Sequence, residues 1–383
     1  MSYQVGVLAL YLAGRRLEEL AFFRKLCVSG QKLGVEVLVF TPDDVDESKR
    51  QIHAITYNTA SDKWTRKKVG FPPIIYDRCR YHGADNYRKI SHFRRTFTKL
   101  NYVSRPLANK WRMHQILSES EKIVPHLPST TRYKDSKELL KICKRYSTVY
   151  LKPQGGTGGR GILRLQRLQG GEAFLLQGRD PSRQIIPAHR VEATQLATRL
   201  SSLKLNDRYI VQQGIQLELK DGRVHDFRML VQKDGTGQWQ ITGCAGRIGP
   251  RKSVTSNLHG GGTASPMDSL LKSRFGSSEK VAEIKETAYA LGLNVVEHLD
   301  TKFDTFCEVG IDLAVDPKGH VWLLEVNPKP SREVFYRIGE KETYRKAIRR
   351  PLEFSLWLLK QRKQADKGAA AAATASVRPT FLK

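Results

Sequence analysis

Three oxygen-bearing side chains near the C-terminal end, Asp312, Glu325 and Asn327, interrupt a stretch that otherwise reads as two apolar strands: Gly310-Ile-Asp-Leu-Ala-Val-Asp-Pro-Lys-Gly-His-Val-Trp-Leu-Leu-Glu-Val-Asn-Pro328. The segment 316–319, Asp-Pro-Lys-Gly, is a turn signal, so a hairpin is expected with Val315 opposite His320, Asp312 opposite Leu323 and Gly310 opposite Glu325. Side chains alternate along a strand, which puts Asp312, Glu325 and Asn327 on one face, with the two carboxylates diagonal and roughly 7 Å apart at Cβ. Hard oxygen donors at that spacing suit Mg²⁺, which takes ligands at about 2.1 Å. The other face, Ile311, Leu313, Val315, Trp322, Leu324 and Val326, is expected to be core. The plain alternative is an exposed polar face at a sheet edge.

A second signal is the loop Lys152-Pro-Gln-Gly-Gly-Thr-Gly-Gly-Arg-Gly161, in which Gly156, Gly158 and Gly161 have the GxGxxG spacing. A dinucleotide fingerprint must open a helix, but here Ile162 to Leu168 follows with strand-like alternation. A Walker loop needs Gly-Lys-Ser/Thr, and a kinase needs its lysine after the loop together with HRD and DFG segments; the chain has none of these. The loop is therefore expected to be a β-loop-β flap whose backbone N–H groups close over phosphates, with Lys152 supplying a point charge. A flexible hairpin with a surface lysine is the plain alternative.

Asp226-Phe-Arg228 lies on an expected strand, so both charges share a face; an ion pair between them is the plain reading. Arg247 precedes the Gly-rich segment 256–265, whose Asn257 and His259 mark a candidate substrate loop. Between Arg78 and Arg105 arginines alternate with aromatics. Such interleaving can stack bases, but no nucleic-acid motif accompanies it, so a solvated basic face or a surface for an acidic substrate is expected.

These residues need a scaffold of more than one domain, which 383 residues supply. Strands Gln4–Tyr11, Val35–Phe40 and Pro72–Tyr76 with a helix Leu17–Leu33 stopped by Gly34 make a small α/β opening, taken as residues 1–107. Residues 108–335 read as α+β, with helices Lys110–Ile123, Ser136–Arg145 and Ser278–Leu291. Its strands are Thr148–Lys152, Tyr209–Gln213, Asp226–Lys233, Gln238–Gly243, Val309–Val315 and His320–Val326. A basic helix over 336–364 and a disordered Ala-rich tail over 365–383 complete the chain. The net charge of +27 attracts anions without dictating a fold. Five scattered cysteines suggest reduced thiols inside a cell. Val5–Leu12 has no preceding Lys or Arg and suits a strand rather than a signal segment, and no apolar run approaches about 20 residues.

Taken in order, the Asp-x-Arg strand, the Ser-Asn-Leu-His-x-Gly-Gly loop and the Gly-x-Asp…Glu-x-Asn-x-Pro hairpin resemble the ATP-grasp superfamily over residues 110–330, near the glutamate ligases that modify ribosomal protein or amino-group carriers. The whole chain, with its Tyr-Asp77-Arg78 segment and Asn109-Lys110-Trp111, is similar to the YheC/YheD-like family of spore-coat-associated proteins. That resemblance implies an α/β pre-ATP-grasp domain followed by an α+β ATP-grasp fold of two lobes. It implies ATP phosphates on Lys110 and Lys152, adenine against Gln212, Gln213 and Ile215, and Asp226 and Asn257 near the nucleotide. It also implies two Mg²⁺ ions, Mn²⁺ being the alternative, on Asp312, Glu325 and Asn327, and Arg228 and Arg247 as catalytic groups at the transferred phosphoryl. Many members carry Glu in the hinge where this chain has Gln212 and Gln213. The activity implied is carboxylate activation as an acyl phosphate followed by amine (or thiol) attack. The implied setting is the cytoplasm on the mother-cell side and the coat of an endospore, among coat proteins and away from nucleic acid. A structural, non-catalytic coat component is the rival reading.

Overall fold

The apolar run Tyr3–Leu8 sits mid-sheet, hydrogen-bonded in parallel to Val35–Phe40 on one side and to Ile75–Asp77 on the other. It is buried on both faces, as a parallel strand covered by helices must be. The computed structural model describes residues 3–80, 83–156, 159–182, 184–203, 205–251, 253–256, 258 and 261–376, the side chains of 202 and 367–376 excepted. Helices Leu20–Lys32 and Gly83–Thr96 flank this first sheet. The first helix starts three residues later than its periodicity predicts: Gly14 and Arg15 take positive φ, and Leu17 joins a short strand opposite Tyr11 instead. Gly34, at φ +70, ends it as expected. The antiparallel ribbon Gln51–Asn58 and Lys63–Gly70, unforeseen in the sequence, extends the sheet.

The second sheet has six antiparallel strands in the order Thr130–Arg132, Tyr209–Gln213, Thr148–Pro153, Leu163–Arg167, Ala173–Arg179 and Ile185–Glu192. Helices Ser136–Arg145 and Leu196–Ser202 cover one of its faces. Thr148–Pro153 and Leu163–Arg167 are paired neighbours, so the glycine loop does connect two strands.

The third sheet is antiparallel in the order Thr263–Pro266, Trp239–Ile248, His225–Lys233, Glu308–Val315 and Val321–Asn327. Its apolar face packs on the helix Ser278–Asp300. That helix runs nine residues beyond its predicted end because Val295, Val296 and Leu299 continue its buried face past Gly292; a Cβ at Gly292 would lie 2.4 Å from Met229 Sδ, so the glycine allows close helix–sheet contact. The predicted helix 110–123 stops at Leu117, where Ser118 Oγ donates to the His114 carbonyl at 2.8 Å and a 3₁₀ turn follows. The last helix, Lys341–Ser376, starts later than the expected 336 and runs past the expected end at 364, so residues 365–376 of the expected disordered tail are helical. Alanine has the highest helix propensity of any residue, so the Ala-rich segment continues the helix it follows. Residues 377–383 lie outside the described set. No helix among the described residues is long and apolar enough to cross a membrane.

Candidate active site

The third sheet holds its charged groups by register. Asp226 and Arg228 alternate onto one face of their strand, but they do not pair with each other. Asp226 stands opposite Arg247, and Arg228 opposite Asp312. Arg247 Nε donates to Asp226 Oδ1 at 2.7 Å and its Nη2 lies 3.1 Å from Asp312 Oδ2. Arg228 grips Asp312 through both Nε, at 2.5 Å, and Nη2, at 3.0 Å. Burial would raise the Asp312 carboxyl, yet these two guanidinium groups hold it below the usual range. Burial alone would lower the Arg247 guanidinium, but Asp226 and Asp312 raise it above its ordinary value.

Asp312 faces Glu325 directly, not diagonally, so the expected hairpin register is corrected. Asp316 accepts from the N–H groups of Lys318 and His320, and Gly319 takes φ +89. The turn therefore holds one more residue than expected, and Val315 pairs with Val321 instead of His320. A second irregularity beside Asp312 skips Leu324. The first shift makes Val321 and Leu323, rather than Trp322 and Leu324, the core residues. The second returns Glu325 and Asn327 to the face of Asp312. Asn327 Nδ2 donates to Asp312 Oδ2 at 3.2 Å.

From the second sheet, Lys152 reaches Gln212, donating to its Oε1 at 2.5 Å, while Gln212 Nε2 donates to Thr130 Oγ1 at 3.1 Å. Burial pushes the Lys152 ammonium down to about 8, with Glu325 opposing that fall. Lys110, at the start of a helix capped by Asn109, joins the two sheets. Its Nζ donates to the Gly156 carbonyl at 3.0 Å and lies 2.8 Å from Glu325 Oε1. The flap, Lys110 and the hairpin are thus one connected unit.

Gln213 exchanges both its backbone N–H and its side-chain oxygen with Ser129. The hinge to Ile215 is thereby pinned to the sheet edge, and the Gln213 N–H is already used. Gly156 and Gly161 take φ +122 and +66. At Gly161 a side chain would also press on Pro153 and the Tyr209 hydroxyl. Gly158, Asn257 and His259 lie outside the described residues. Ser253, three residues before the predicted substrate loop, accepts from Arg179 Nη2 at 3.4 Å, which ties the segment leading into that loop to the flap lobe.

Three further residues join this face of the second sheet. Tyr150 lies under Lys152, whose Nζ is 5.6 Å from its ring centroid. Arg164, opposite Tyr150, holds Glu218 at 2.8 Å. Period-two alternation back from Lys152 points to Tyr150; nothing in the sequence marks Glu218, which follows the strand in irregular chain.

A model of the family described as YheC/D like ATP-grasp matches residues 99–358, more than half of the chain. The chain belongs to the YheC/D-like ATP-grasp family. It is 23% identical over 342 residues to the endospore coat-associated protein YheC of Bacillus subtilis (strain 168), covering 87% of this chain and 91% of that protein. To the endospore coat-associated protein YheD of the same strain it is 25% identical over 341 residues, covering 88% and 74%. Its fold is similar to that of the ATP-grasp ligase PsnB complexed with minimal precursor, with a TM-score of 0.51 at 13% identity, covering 88% of this chain and 95% of that one.

The α/β unit followed by two α+β lobes is thus the fold of this ATP-grasp chain, and a charged cluster joins the two lobe sheets. The cluster brings together four cations, Lys110, Lys152, Arg228 and Arg247, and three carboxylates, Asp226, Asp312 and Glu325. That surplus of positive charge favours a polyphosphate. For a divalent ion, the hairpin offers two facing carboxylates and an amide, all hard oxygen donors, and these fit Mg²⁺. Among the described residues no three His, Cys, Asp or Glu side chains are arranged to hold a metal ion by themselves, so phosphate oxygens or water would complete the shell. The basic aromatic stretch divides between core and surface. Phe93, Phe97 and Tyr102 are core, and Arg78, 1% exposed, pairs with Glu19 and Glu308, so no base-stacking platform is built from them. Arg88, Arg95 and Lys99 are exposed and form the solvated basic side of the stretch.

Proposed function

We propose that the chain binds Mg-ATP at this cluster and activates a carboxylate as an acyl phosphate, which an amine then attacks to give an amide and phosphate. The observation that carries this reading is Lys110, whose one ammonium contacts both the flap carbonyl of Gly156 and the hairpin carboxylate Glu325. Lys152 and Lys110 hold the phosphates, and Tyr150, Gln212, Gln213, Ile215, Arg164 and Glu218 line the nucleoside side. Asp312, Glu325 and Asn327 would hold two Mg²⁺ ions, Mn²⁺ being the alternative, which would draw charge from the phosphates when bound. Arg228 and Arg247, fixed by Asp312 and Asp226, face the transferred phosphoryl and its acceptor oxygen. Phosphoryl transfer asks mainly for such positioned cations. Closure of the flap excludes water and protects the acyl phosphate. The coat association of the YheC and YheD relatives supports a cytoplasmic, mother-cell setting and coat-protein partners.

A non-catalytic coat component is the second reading. It draws support from the fact that Asp226, Asp312 and Glu325 are each already neutralised by a protein cation. Calorimetry and thermal shift with and without Mg²⁺ and ATP separate the two, together with ADP release screened against amino acids and acidic peptides. Mg-dependent ATP binding with acceptor-dependent ADP is expected; no binding and no ADP would leave the scaffold reading standing.

A further inference from the structure

Beside the junction of the N-terminal unit with the ATP-grasp lobes lies a cavity of about 490 Å³ whose lining includes Tyr87, Ser91, Arg94, Arg95, Arg105 and Asp304. Three elements contribute: the helix Gly83–Thr96, the linker after Val103, and the loop following the long helix Ser278–Asp300. Three guanidinium groups meet one lining carboxylate there. Arg105 is placed by stacking, its Cζ 4.3 Å from the centroid of the Tyr102 ring. Its Nη1 lies 3.8 Å from Asp304, a carboxylate itself 82% exposed. Its Nε and Nη2 are buried and have no hydrogen-bond acceptor among the described residues. A buried charged donor without an acceptor is costly, so Arg105 is held at the cavity wall against that cost, with Nη1 turned towards Asp304.

The cavity also connects to the candidate active site. Arg94 lies 2.7 Å from Asp77 Oδ2, and Asp77 Oδ1 lies 3.2 Å from Lys329 Nζ. Lys329 Nζ donates in addition to the carbonyls of Asp77 and Ser104, the residue before Arg105. Lys329 follows Asn327 by two residues in the chain. A chain held in the cavity is therefore anchored beside the hairpin that carries the carboxylates.

We propose that this arginine-lined cavity binds a carboxylate-bearing peptide chain, an acidic segment of the protein or peptide that the ligase modifies. Planar guanidinium groups match carboxylates in bidentate geometry, and Tyr87, 54% exposed, offers a flat wall for the peptide. The identity of this ligand as substrate rests on the ligase reading; the binding site itself does not.

The test uses the full chain without nucleotide and a fluorescently labelled hexaglutamate peptide, with hexaglutamine and inorganic phosphate as comparison probes at physiological salt. Hexaglutamate is expected to bind, hexaglutamine not. Arg105→Gln and the exposed Arg95→Gln are each expected to weaken binding about tenfold, while Lys360→Gln on the C-terminal helix leaves it unchanged. The Mg-ATP thermal shift should be the same in all three variants. Equal binding of hexaglutamine, or no loss in Arg105→Gln and Arg95→Gln, overturns the proposal. An equal loss in Lys360→Gln also overturns it, since attraction to the net charge of +27 then explains the binding. Displacement by phosphate at the peptide's own concentration makes the occupant a phosphoryl group and overturns it too. Intact peptide binding with no Mg-ATP shift and no ADP release would sink the ligase reading alone.

Discussion

Glu325 carries the sharpest test at the residue scale. Glu325→Gln keeps the side chain's size and removes one charge facing Asp312 and Lys110. If an Mg²⁺ ion works there, metal-dependent ADP formation should fall about a hundredfold, because charge at the metal matters most to phosphoryl transfer. The sequence alone suggests relief of carboxylate repulsion in the unliganded protein. The structure reverses that sign: Lys110 already compensates Glu325, so stability without Mg²⁺ should drop, by about 1 kcal/mol for this partly exposed pair. Melting temperatures with and without Mg-ATP measure both effects.

Lys152 makes a second prediction. Its ammonium is lowered to about 8 from the ordinary 10.5, chiefly by burial. The penalty on the charged form is therefore present below about 8 and disappears as pH rises towards 10.5. A phosphate needs the charged form, so ATP affinity should fall as pH rises through 8. Binding at pH 8.5 should take up roughly half a proton or more. Calorimetry in two buffers of different ionisation enthalpy reads that uptake, and Lys152→Met should abolish it.

The hairpin is the element on which the site depends. Its register is decided by two local irregularities, one in the turn at Gly319 and one beside Asp312, and a slip of one residue would send Glu325 to the apolar face. Gly310, opposite Asn327, leaves space for its neighbours: a Cβ there would lie 2.9 Å from Pro330 Cβ and 3.4 Å from Arg228 Cδ. Gly310→Ala should therefore destabilise by about 1–3 kcal/mol through overpacking. Because it pushes on Arg228, it should also lower ADP formation. Denaturant unfolding and a single-turnover assay are the measurements; unchanged values for both would mean that Arg228 has room to move.

At the scale of the whole molecule, a buried charge network joins the N-terminal sheet to the third sheet. Glu308, at the head of the Asp312 strand, accepts from Arg78 Nη1 at 3.0 Å and Gln232 Nε2 at 2.9 Å, and also from Tyr76 and Arg332. Glu19 takes Arg78 and Arg80. Burial would raise both carboxyls, but the arginines hold both below the usual 4.5: chiefly Arg78 for Glu19 and Arg332 for Glu308. Their contribution is thus present above that ordinary value and lost as pH falls through the lowered ones. Glu308→Gln would leave Arg78 and Arg332 short of a buried counter-charge and should cost about 3–5 kcal/mol. Urea unfolding at neutral pH checks it, and the difference from the parent chain should shrink in acid.

What the sequence determined by itself was local. The flap strands and the Asp-x-Arg strand followed from alternation, and the helix stop at Gly34 from backbone freedom, because these depend on residues near in sequence; the shared face of Asp312, Glu325 and Asn327 was expected from an unbroken register but arises from two irregularities that offset each other. Tertiary structure decided the rest. It assigned Asp226 to Arg247 and Arg228 to Asp312, gave Lys110 to both lobes, and buried Arg78 where the interleaved aromatics suggested an open surface. Each of those outcomes depends on which strand lies beside which. A charged side chain's partner across a sheet is set by packing between segments far apart in the chain, and no local pattern records it.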